Sequence, residues 1–272
     1  MNLRSLSAHV PTFALLIAPA LMAQSGPQPP PPVMVFIREE VKPGKGAAHE
    51  ATEAAWTQAM IKGKSTNYYL GMEALTGPSE AWFLAGYGSF AKWGGAQNEF
   101  DANPDLKKEI ARIAEQDGEL LSGARTFVGA RRKDLSFGPD VEIGKMRYMR
   151  VRTFRVKQGQ NRPFEDGLKV ALEGYAKSRY PFSFATYEVV AGQPSPTFVI
   201  LRPMKSLGDM DLADAADKAF LEVMGEDGRK ALSKVFGDSV QFVENQIFSF
   251  NPKLTFAGPS TIASDPAFWA PR

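Results

Sequence analysis

The chain has 272 residues, of which 44% are hydrophobic, 11% aromatic and 23% charged, a composition typical of a globular protein with room for about two domains. The formal charge is only +2 and cysteine is absent. These values exclude a nucleic-acid partner held by a large basic excess, and they exclude disulfides, iron–sulfur clusters and thiol catalysis. The chain has two histidines, so a histidine-rich metal site is excluded as well.

Residues 1–23 have the pattern of a secretory signal peptide. A short head that carries Arg4 precedes an apolar run over 13–22, and the small residue Ala23 follows. The run is about half of the roughly 20 residues that cross a bilayer, although an uncleaved anchor is the alternative. We expect cleavage after Ala23, or after Ala20, and an exported protein that is periplasmic or extracellular and has no stable membrane anchor.

The proline-rich segment over 24–32 predicts an extended linker, and the chain after it repeats itself. Four matches lie 115 residues apart, as 41 and 156 do, and a fifth lies 119 residues apart, as 134 and 253 do. The matches are Val41–Gly44 with Val156–Gly159, Glu73 with Glu188, Gly77 with Gly192, Phe83 with Phe198, and Asp134–Phe137 with Lys253–Phe256. The repeat predicts one unit over 33–138, a second over 144–256 and a C-terminal tail over 257–272.

The pattern of the first unit predicts the element order β-α-β-β-α-β, with one additional short helix. Alanines at helical spacing indicate the first helix, and Asn103-Pro104 is a signal for the start of another. The predicted elements are a strand over 34–41, a helix over 45–61, strands over 67–75 and 81–87, a short helix after Ser89, a helix from Asn103 that Gly123 ends, and a strand over 125–130.

The second unit is predicted to repeat this order. Its elements are a strand over 148–156, a helix that begins near Pro163, strands over 182–190 and 197–201, helices over 212–224 and 226–236, and a strand over 242–250. Each unit therefore has the ferredoxin-like, or split β-α-β, order.

This α+β pattern predicts two tandem ferredoxin-like units whose sheets pack face to face, because a sheet with helices on one face leaves its other face bare. The topology, with Val41-Lys-Pro-Gly44 before the first helix, resembles the dimeric α/β-barrel superfamily, which includes antibiotic-biosynthesis monooxygenases and NIPSNAP-like proteins. The resemblance covers residues 33–256. It implies an intrachain barrel in a tandem fused form, and we expect a monomer or a weak homo-oligomer.

His49 is the histidine that remains after the predicted cleavage. Helical spacing places it on one side of the first helix with Glu53, so one hypothesis makes His49 a catalytic base oriented by Glu53. The alternative is a surface histidine with a minor contact. Haem-using members of the superfamily rely on a histidine in the second half of their unit, and the second unit here has none, so the resemblance implies no haem.

Glu73 and Glu188 occupy matching strand positions, and Arg150 and Arg152 share one face of a predicted strand. The two carboxylates could share a proton or hold a hard cation across a pseudo-twofold axis, or they could be solvent-facing. The arginine pair would suit a carboxylate or a phosphate inside a barrel mouth, or it could protect a strand edge.

Aromatic residues are concentrated in the first unit, where Trp82 matches Thr197 and Trp93 matches Gly208. Because both units need a core, this asymmetry indicates a ligand pocket in the first unit, with ordinary core packing as the alternative. The predicted pocket walls are Trp56, Tyr69, Trp82 and Tyr87.

The sequence contains no Walker loop, dinucleotide-binding fingerprint, nucleophile elbow or zincin motif. Two hypotheses follow. The first is an exported cell-envelope protein that binds a small apolar or aromatic ligand, and the alternative is a cofactor-independent, monooxygenase-like enzyme. In both, we expect no metal and no cofactor, and the weak catalytic candidates are His49, Glu73 and Glu188.

Overall fold

The computed structural model describes residues 26–270, and the predicted signal peptide lies outside them. None of the helices within this range is both long and apolar enough to cross a bilayer. The strands are β1 (Val33–Val41), β2 (Leu70–Ala74), β3 (Glu80–Tyr87), β4 (Leu121–Arg131), β5 (Tyr148–Val156), β6 (Ala185–Ala191), β7 (Thr197–Met204) and β8 (Val240–Phe250).

The helices lie between and after these strands. They are α1 (Gly46–Lys62), α2 (Phe90–Asp101), α3 (Pro104–Gly118), α4 (Asn161–Lys177), α5 (Asp209–Ser239), α6 (Pro259–Ser264) and α7 (Pro266–Trp269). The predicted caps are confirmed, since Ser89 accepts a hydrogen bond from the backbone N–H of Lys92 and Asn103 accepts one from Leu106.

Two boundaries differ from the sequence prediction. Helix α3 ends at Gly118 instead of Gly123, because β4 begins at Leu121 and pairs with Val41. The two helices predicted on either side of residue 225 form one element, α5, with a break at Gly225, where φ is +64° and ψ is 179°. Glycine adopts this conformation without the steric cost that a side chain would add.

The eight strands close into one antiparallel barrel in the order β1-β3-β2-β8-β5-β7-β6-β4. Strand β2 pairs with β8 and β4 pairs with β6, so the two halves of the chain join at both edges. The predicted α+β class and the single barrel are therefore confirmed. The halves meet through hydrogen-bonded edges as well as through the faces that enclose the core.

The barrel interior is filled by a cluster of buried side chains to which all eight strands contribute. Alternate residues of each strand point inward, and Phe36 and Phe127 stack there with ring centroids 4.7 Å apart. Glu80 is buried beside them, and it accepts hydrogen bonds from Trp82 at 2.9 Å and from Gln246 at 3.1 Å. The core thus lies inside the barrel, and the helices cover its outer surface.

The two halves can be compared position by position because their strands share one register. Val33 pairs with Tyr87 in the first half, and Tyr148 pairs with Met204 in the second. In this register Trp82 corresponds to Val199, so its predicted match with Thr197 is wrong. Seven residues lie between the paired residues Glu73 and Ala81, and nine lie between the equivalent pair Glu188 and Phe198. The second hairpin is therefore two residues longer, which shifts every later match.

The terminal segments cover one end of the barrel. Tyr187 donates a hydrogen bond to the carbonyl of Pro31 at 3.0 Å, and Arg131 donates one to Pro30 at 2.9 Å. At the other terminus Trp269 is 2% exposed and donates to the carbonyl of Gly144 at 2.6 Å. Part of the predicted linker and tail is thus packed on the barrel.

We predict that Trp82→Ala lowers the free energy of unfolding by about 3 to 5 kcal/mol, because the side chain is 1% exposed and its loss leaves a cavity. Urea denaturation of the two proteins measures this. The control is Trp56→Ala, since Trp56 is only half-buried on α1. An equal or smaller loss for Trp82→Ala would contradict the packing described above.

Candidate functional site

A cavity of about 370 Å³ lies between the outer surface of β5 and β7 and the helices α4 and α5. Its wall contains four arginines, Arg150, Arg152, Arg202 and Arg229, and one acidic residue, Asp217. The rest of the wall is largely aromatic and aliphatic. The predicted arginine pair therefore lines a pocket, but the pocket is outside the barrel and not in its mouth.

Strand pairing places Arg150 directly opposite Arg202, with Arg152 two residues further along β5. Like charges at directly opposite positions of a sheet destabilise it. Arg202 is 5% exposed, and its Nε has no hydrogen-bond partner among the described residues. The sheet thus holds two guanidinium groups together on the side that faces the cavity.

The partners of Arg202 are weak acceptors. Its guanidinium donates to the hydroxyl of Tyr180 at 3.2 Å and to the sulfurs of Met210 at 3.0 Å and Met204 at 3.5 Å. Buried guanidinium groups are ordinarily paired with a carboxylate. Within residues 26–270, neither Arg202 nor Arg150 forms an ion pair.

The electrostatics of the cavity follow from this arrangement. Burial lowers the pKa of Arg150, and the neighbouring charges of Arg152 and Arg202 lower it further. An anion in the cavity would reverse the effect of those charges, because opposite charges stabilise each other strongly where water is excluded. The charges of the arginines therefore favour an anion in this cavity.

Aromatic rings form the remainder of the site. Tyr175 packs on Tyr180 and on Phe220, with ring centroids 4.5 Å apart in both cases. Burial raises the pKa of Tyr175 to about 12, so its hydroxyl stays protonated and can donate a hydrogen bond. Arg202 lies over the ring of Phe182 at 4.9 Å. Flat apolar walls beside a cationic floor match a ligand with an aromatic body and an acidic group.

The first half of the chain shows that the fold does not require these arginines. In the shared register, Arg150, Arg152 and Arg202 correspond to the apolar residues Val35, Ile37 and Ala85. Those three residues belong to an ordinary hydrophobic cluster with Tyr87 and Trp93. The charge in the second half is thus a local feature of this cavity.

The four aromatic residues predicted to wall one pocket do not come together. Trp82 is buried in the barrel interior, Trp56 of α1 and Tyr69 pack in the cluster between α1 and α3, and Tyr87 packs with Trp93. Trp82 and Tyr87 point to opposite faces of β3. Tyr69 also reaches a largely apolar cavity of about 590 Å³ at the barrel end, beneath residues 28–31.

Glu73 and Glu188 are also apart. Their strands β2 and β6 stand on opposite sides of the barrel, so the two carboxylates cannot share a proton or a cation. Each has a partner of its own, since Asn251 donates to Glu73 at 2.7 Å and Arg132 donates to Glu188 at 2.8 Å.

His49 is 1% exposed, which rules out the surface position. Its Nε2 lies 3.0 Å from Glu39 instead of bonding to Glu53, and Asp117 lies 3.8 Å away. Burial alone would lower the pKa of His49, but the hydrogen bond with Glu39 and the charges of Asp117, Glu39 and Glu73 raise it overall. This polar cluster is separate from the arginine cavity.

Sequence reasoning missed Arg202, Tyr180, Glu39 and Asp117. Arg202 lies one residue beyond the predicted end of its strand, and Tyr180 lies in a loop that carries no pattern. Asp117 had a detectable signal, because it continues the buried stripe of Ile110 and Ile113 along α3. A carboxylate on such a stripe requires a partner.

The residues of the arginine cavity do not fit the histidine-ligated haem of some members of the superfamily. No histidine lines the cavity, and the histidine of the described chain lies in α1, in the other half. We therefore derive no chemistry through haem.

No protein-family model and no curated protein matches the sequence. Solved structures do match the fold. A protein from Fusobacterium nucleatum described as a "putative monooxygenase" has a TM-score of 0.51 at 8% identity, over 82% of this chain and 94% of the other. An anthrone oxidase-like protein has a TM-score of 0.52 at 12% identity, over 80% and 91%.

A variant of chlorite dismutase from Candidatus Nitrospira defluvii has a TM-score of 0.50 at 9% identity, over 83% of this chain and 94% of the other. These neighbours all belong to the dimeric α/β-barrel superfamily. At such low identity they show the fold alone, and this chain shares their barrel architecture.

We predict that Arg150→Met makes the ligand-free protein more stable, by about 0.5 to 1 kcal/mol, because it removes a like-charge contact and keeps an apolar stem. Thermal and urea unfolding measure this. Arg162→Met, at an exposed position on α4, is the control and should change stability by less. A clear destabilisation by Arg150→Met would show that this arginine has a structural role.

Proposed function

We propose that the protein binds a small aromatic anion, with the carboxylate class as the favoured ligand, in the cavity between the barrel and helices α4 and α5. The observation that carries the proposal is the group of Arg150, Arg152 and Arg202 beside aromatic walls, with no ion pair to Arg150 or Arg202 in the described chain. Guanidinium groups bind carboxylates through two parallel hydrogen bonds. Pockets of this size suit small molecules.

The shape of the cavity defines the ligand further. Its volume of about 370 Å³ accommodates one or two fused rings with an acidic substituent. A phosphate ester shares the anionic chemistry, so it serves as a comparison ligand. The formal charge of +2 gives no support to a nucleic-acid partner.

The test is titration of the protein with 2-naphthoate, with the uncharged 2-naphthamide and with naphthyl phosphate, followed by calorimetry. We expect 2-naphthoate to bind, the amide to bind at least about 10-fold more weakly, and Arg150→Met to lose about 10- to 100-fold in affinity, since hydrogen bonds to charged groups are worth about 1.5 to 3 kcal/mol. Arg162→Met should bind like the parent protein.

Two results would contradict this proposal. Equal affinity for the acid and the amide would mean that the arginines do not recognise the anion. Unchanged binding in Arg150→Met would place the ligand elsewhere, with the apolar cavity at the barrel end as the alternative. Stronger binding of the phosphate would assign the ligand to the phosphate class instead.

A cofactor-independent, monooxygenase-like enzyme is the second candidate. It is favoured by the description of the Fusobacterium neighbour as a "putative monooxygenase" and by the half-buried Tyr175 and Tyr180 at the cavity wall. Oxygen consumption that depends on a bound aromatic compound, together with a product 14 mass units heavier, would distinguish the enzyme from the binding protein. In such a reaction a ring CH₂ group becomes C=O, and its two hydrogens and two electrons reduce the second oxygen atom to water. Arg150→Met should then lose this activity along with binding.

We also propose that the chain is a tandem duplication of a ferredoxin-like unit and acts outside the cytoplasm, as a monomer or a weak homo-oligomer. The equal lengths of β1 and β5 and of α1 and α4 support the duplication. The signal-peptide pattern of residues 1–23 supports export. N-terminal sequencing of the protein from its native cells should find a chain that begins at Gln24, and an intact Met1 in soluble cytoplasm would contradict export.

A further inference from the structure

The first half of the chain brings four ionisable side chains together, three of them buried, between the outer surface of β1 and the helices α1 and α3. They are Glu39, His49, Glu53 and Asp117, and one donor atom of each lies within 4.8 Å of those of the other three. The group is far from the arginine cavity, because β1 and β5 stand on opposite sides of the barrel.

The cluster is deeply buried but has one open side. His49 is 1% exposed, and Glu53 and Asp117 are 5% exposed, whereas the side chain of Glu39 is 15% exposed. Thr52 donates to Asp117 at 2.5 Å and so holds that carboxylate in place. An ion could enter beside Glu39.

Glu53 is the member that the protein itself leaves unsatisfied. Within residues 26–270, it has no hydrogen bond and no ion pair, and its carboxylate points at the other three donors. Three carboxyl groups here surround a single imidazole, so the cluster has more acidic groups than basic ones.

The second half has apolar residues at the same positions, and three of them, Phe154, Leu168 and Phe236, also line the arginine cavity. In the shared register, Glu39 corresponds to Phe154, and His49 and Glu53 correspond to Phe164 and Leu168 on the matching helix. Asp117, four residues before β4, corresponds to Phe236, four residues before β8.

These four residues form an ordinary apolar cluster. Phe154 and Phe164 have ring centroids 5.4 Å apart, and Phe164 and Phe236 have centroids 5.7 Å apart. Leu168 packs in the same group. Since apolar packing suffices in one half, the four buried ionisable groups of the other half require a local cause.

We propose that Glu39, His49, Glu53 and Asp117 form a binding site for one divalent transition-metal ion of the Mn²⁺, Fe²⁺ or Zn²⁺ type. One imidazole nitrogen and three carboxylate oxygens are a mixed donor set, and the imidazole favours these ions over Mg²⁺ and Ca²⁺. Ligands at about 2.0 to 2.2 Å from an ion lie no more than about 4.4 Å apart, so small movements of the side chains would suffice.

The site was not expected from the sequence, which supplies its ligands from three separate elements. The proposal does not depend on the anion-binding function, since the two sites share no residue. It predicts that a metal ion compensates the negative charge of the carboxylates and links β1 to the helices α1 and α3.

The experiment uses the full mature chain, stripped of metal with a chelator and then freed of the chelator. Mn²⁺ and Zn²⁺ are titrated separately by calorimetry, and binding of Mn²⁺ is also followed by the loss of its free-ion electron paramagnetic resonance signal. We expect one ion per chain, a higher unfolding temperature with metal, and at least about 10-fold weaker binding of Mg²⁺ and Ca²⁺.

Glu53→Gln is the main variant, because it removes the charge with almost no change of shape and should fold without metal. Its affinity for Mn²⁺ and Zn²⁺ should fall at least about 10-fold, which corresponds to about 1.4 kcal/mol. Asp117→Asn is a second variant in case the first does not fold. Glu80→Gln is the control, since Glu80 is an equally buried carboxylate that pairs with Arg38 inside the barrel.

Three results would overturn the proposal. The first is no binding of either ion by the parent protein at millimolar concentration. The second is unchanged affinity in both Glu53→Gln and Asp117→Asn, which would place the ion elsewhere. The third is an equal loss in Glu80→Gln, which would show that the variants act through general stability. Binding of Mg²⁺ or Ca²⁺ as tight as that of Mn²⁺ would contradict the assigned class of ion.

Discussion

The pairing of β2 with β8 and of β4 with β6 is the constraint on which the rest of the structure depends. Each half of the chain alone would end in two open sheet edges and one bare apolar face. Joining the halves removes the edges and encloses the face at once. Because the interior is then filled by side chains from all eight strands, little room remains inside for a ligand except at the ends.

Both candidate sites therefore lie on the outer surface of the barrel, beneath the helices. There the two halves offer the same backbone but different side chains. The second half has Arg150 and Arg202 where the first half has Val35 and Ala85. The two arginines face each other on the neighbouring strands β5 and β7, where their like charges repel. Such an arrangement lowers stability, and proteins retain it mainly where it serves binding or catalysis. Each half thus shows which apolar residues the fold accepts at the positions where the other half has charged ones.

Much of the fold could be predicted from the sequence, since hydrophobic periodicity and caps such as Asn103-Pro104 act locally. The repeat was also visible, and both Gly44 and Gly159 adopt φ of +77° at the turn before the first helix of their half. The match of Phe83 with Phe198 was wrong, because an insertion within a turn shifts the register without changing the hydrophobic pattern. Only strand pairing fixes such a register.

The candidate sites were harder to predict, because their residues meet only through tertiary structure. Arg150 and Arg152 were found from one strand, but their opposite neighbour Arg202 lies on another, and its lack of a carboxylate partner has no sequence signal. His49 was assigned to Glu53 by helical spacing, whereas the hydrogen bond goes to Glu39 on the strand beneath. Spacing along one helix predicts which residues share a face of that helix. It does not predict which residues of another element pack against that face.

The positions of the two sites constrain how they could act together. The acidic cluster lies on β1 and the arginine cavity on β5 and β7, on opposite sides of a closed barrel with a filled interior. Coupling between such sites requires an element with two discrete arrangements that both ligands bias. A close-packed core resists graded deformation, and α5, with its break at Gly225, packs on α4 and lines the arginine cavity. The structure therefore favours two independent binding equilibria, one in each half, over a single composite site.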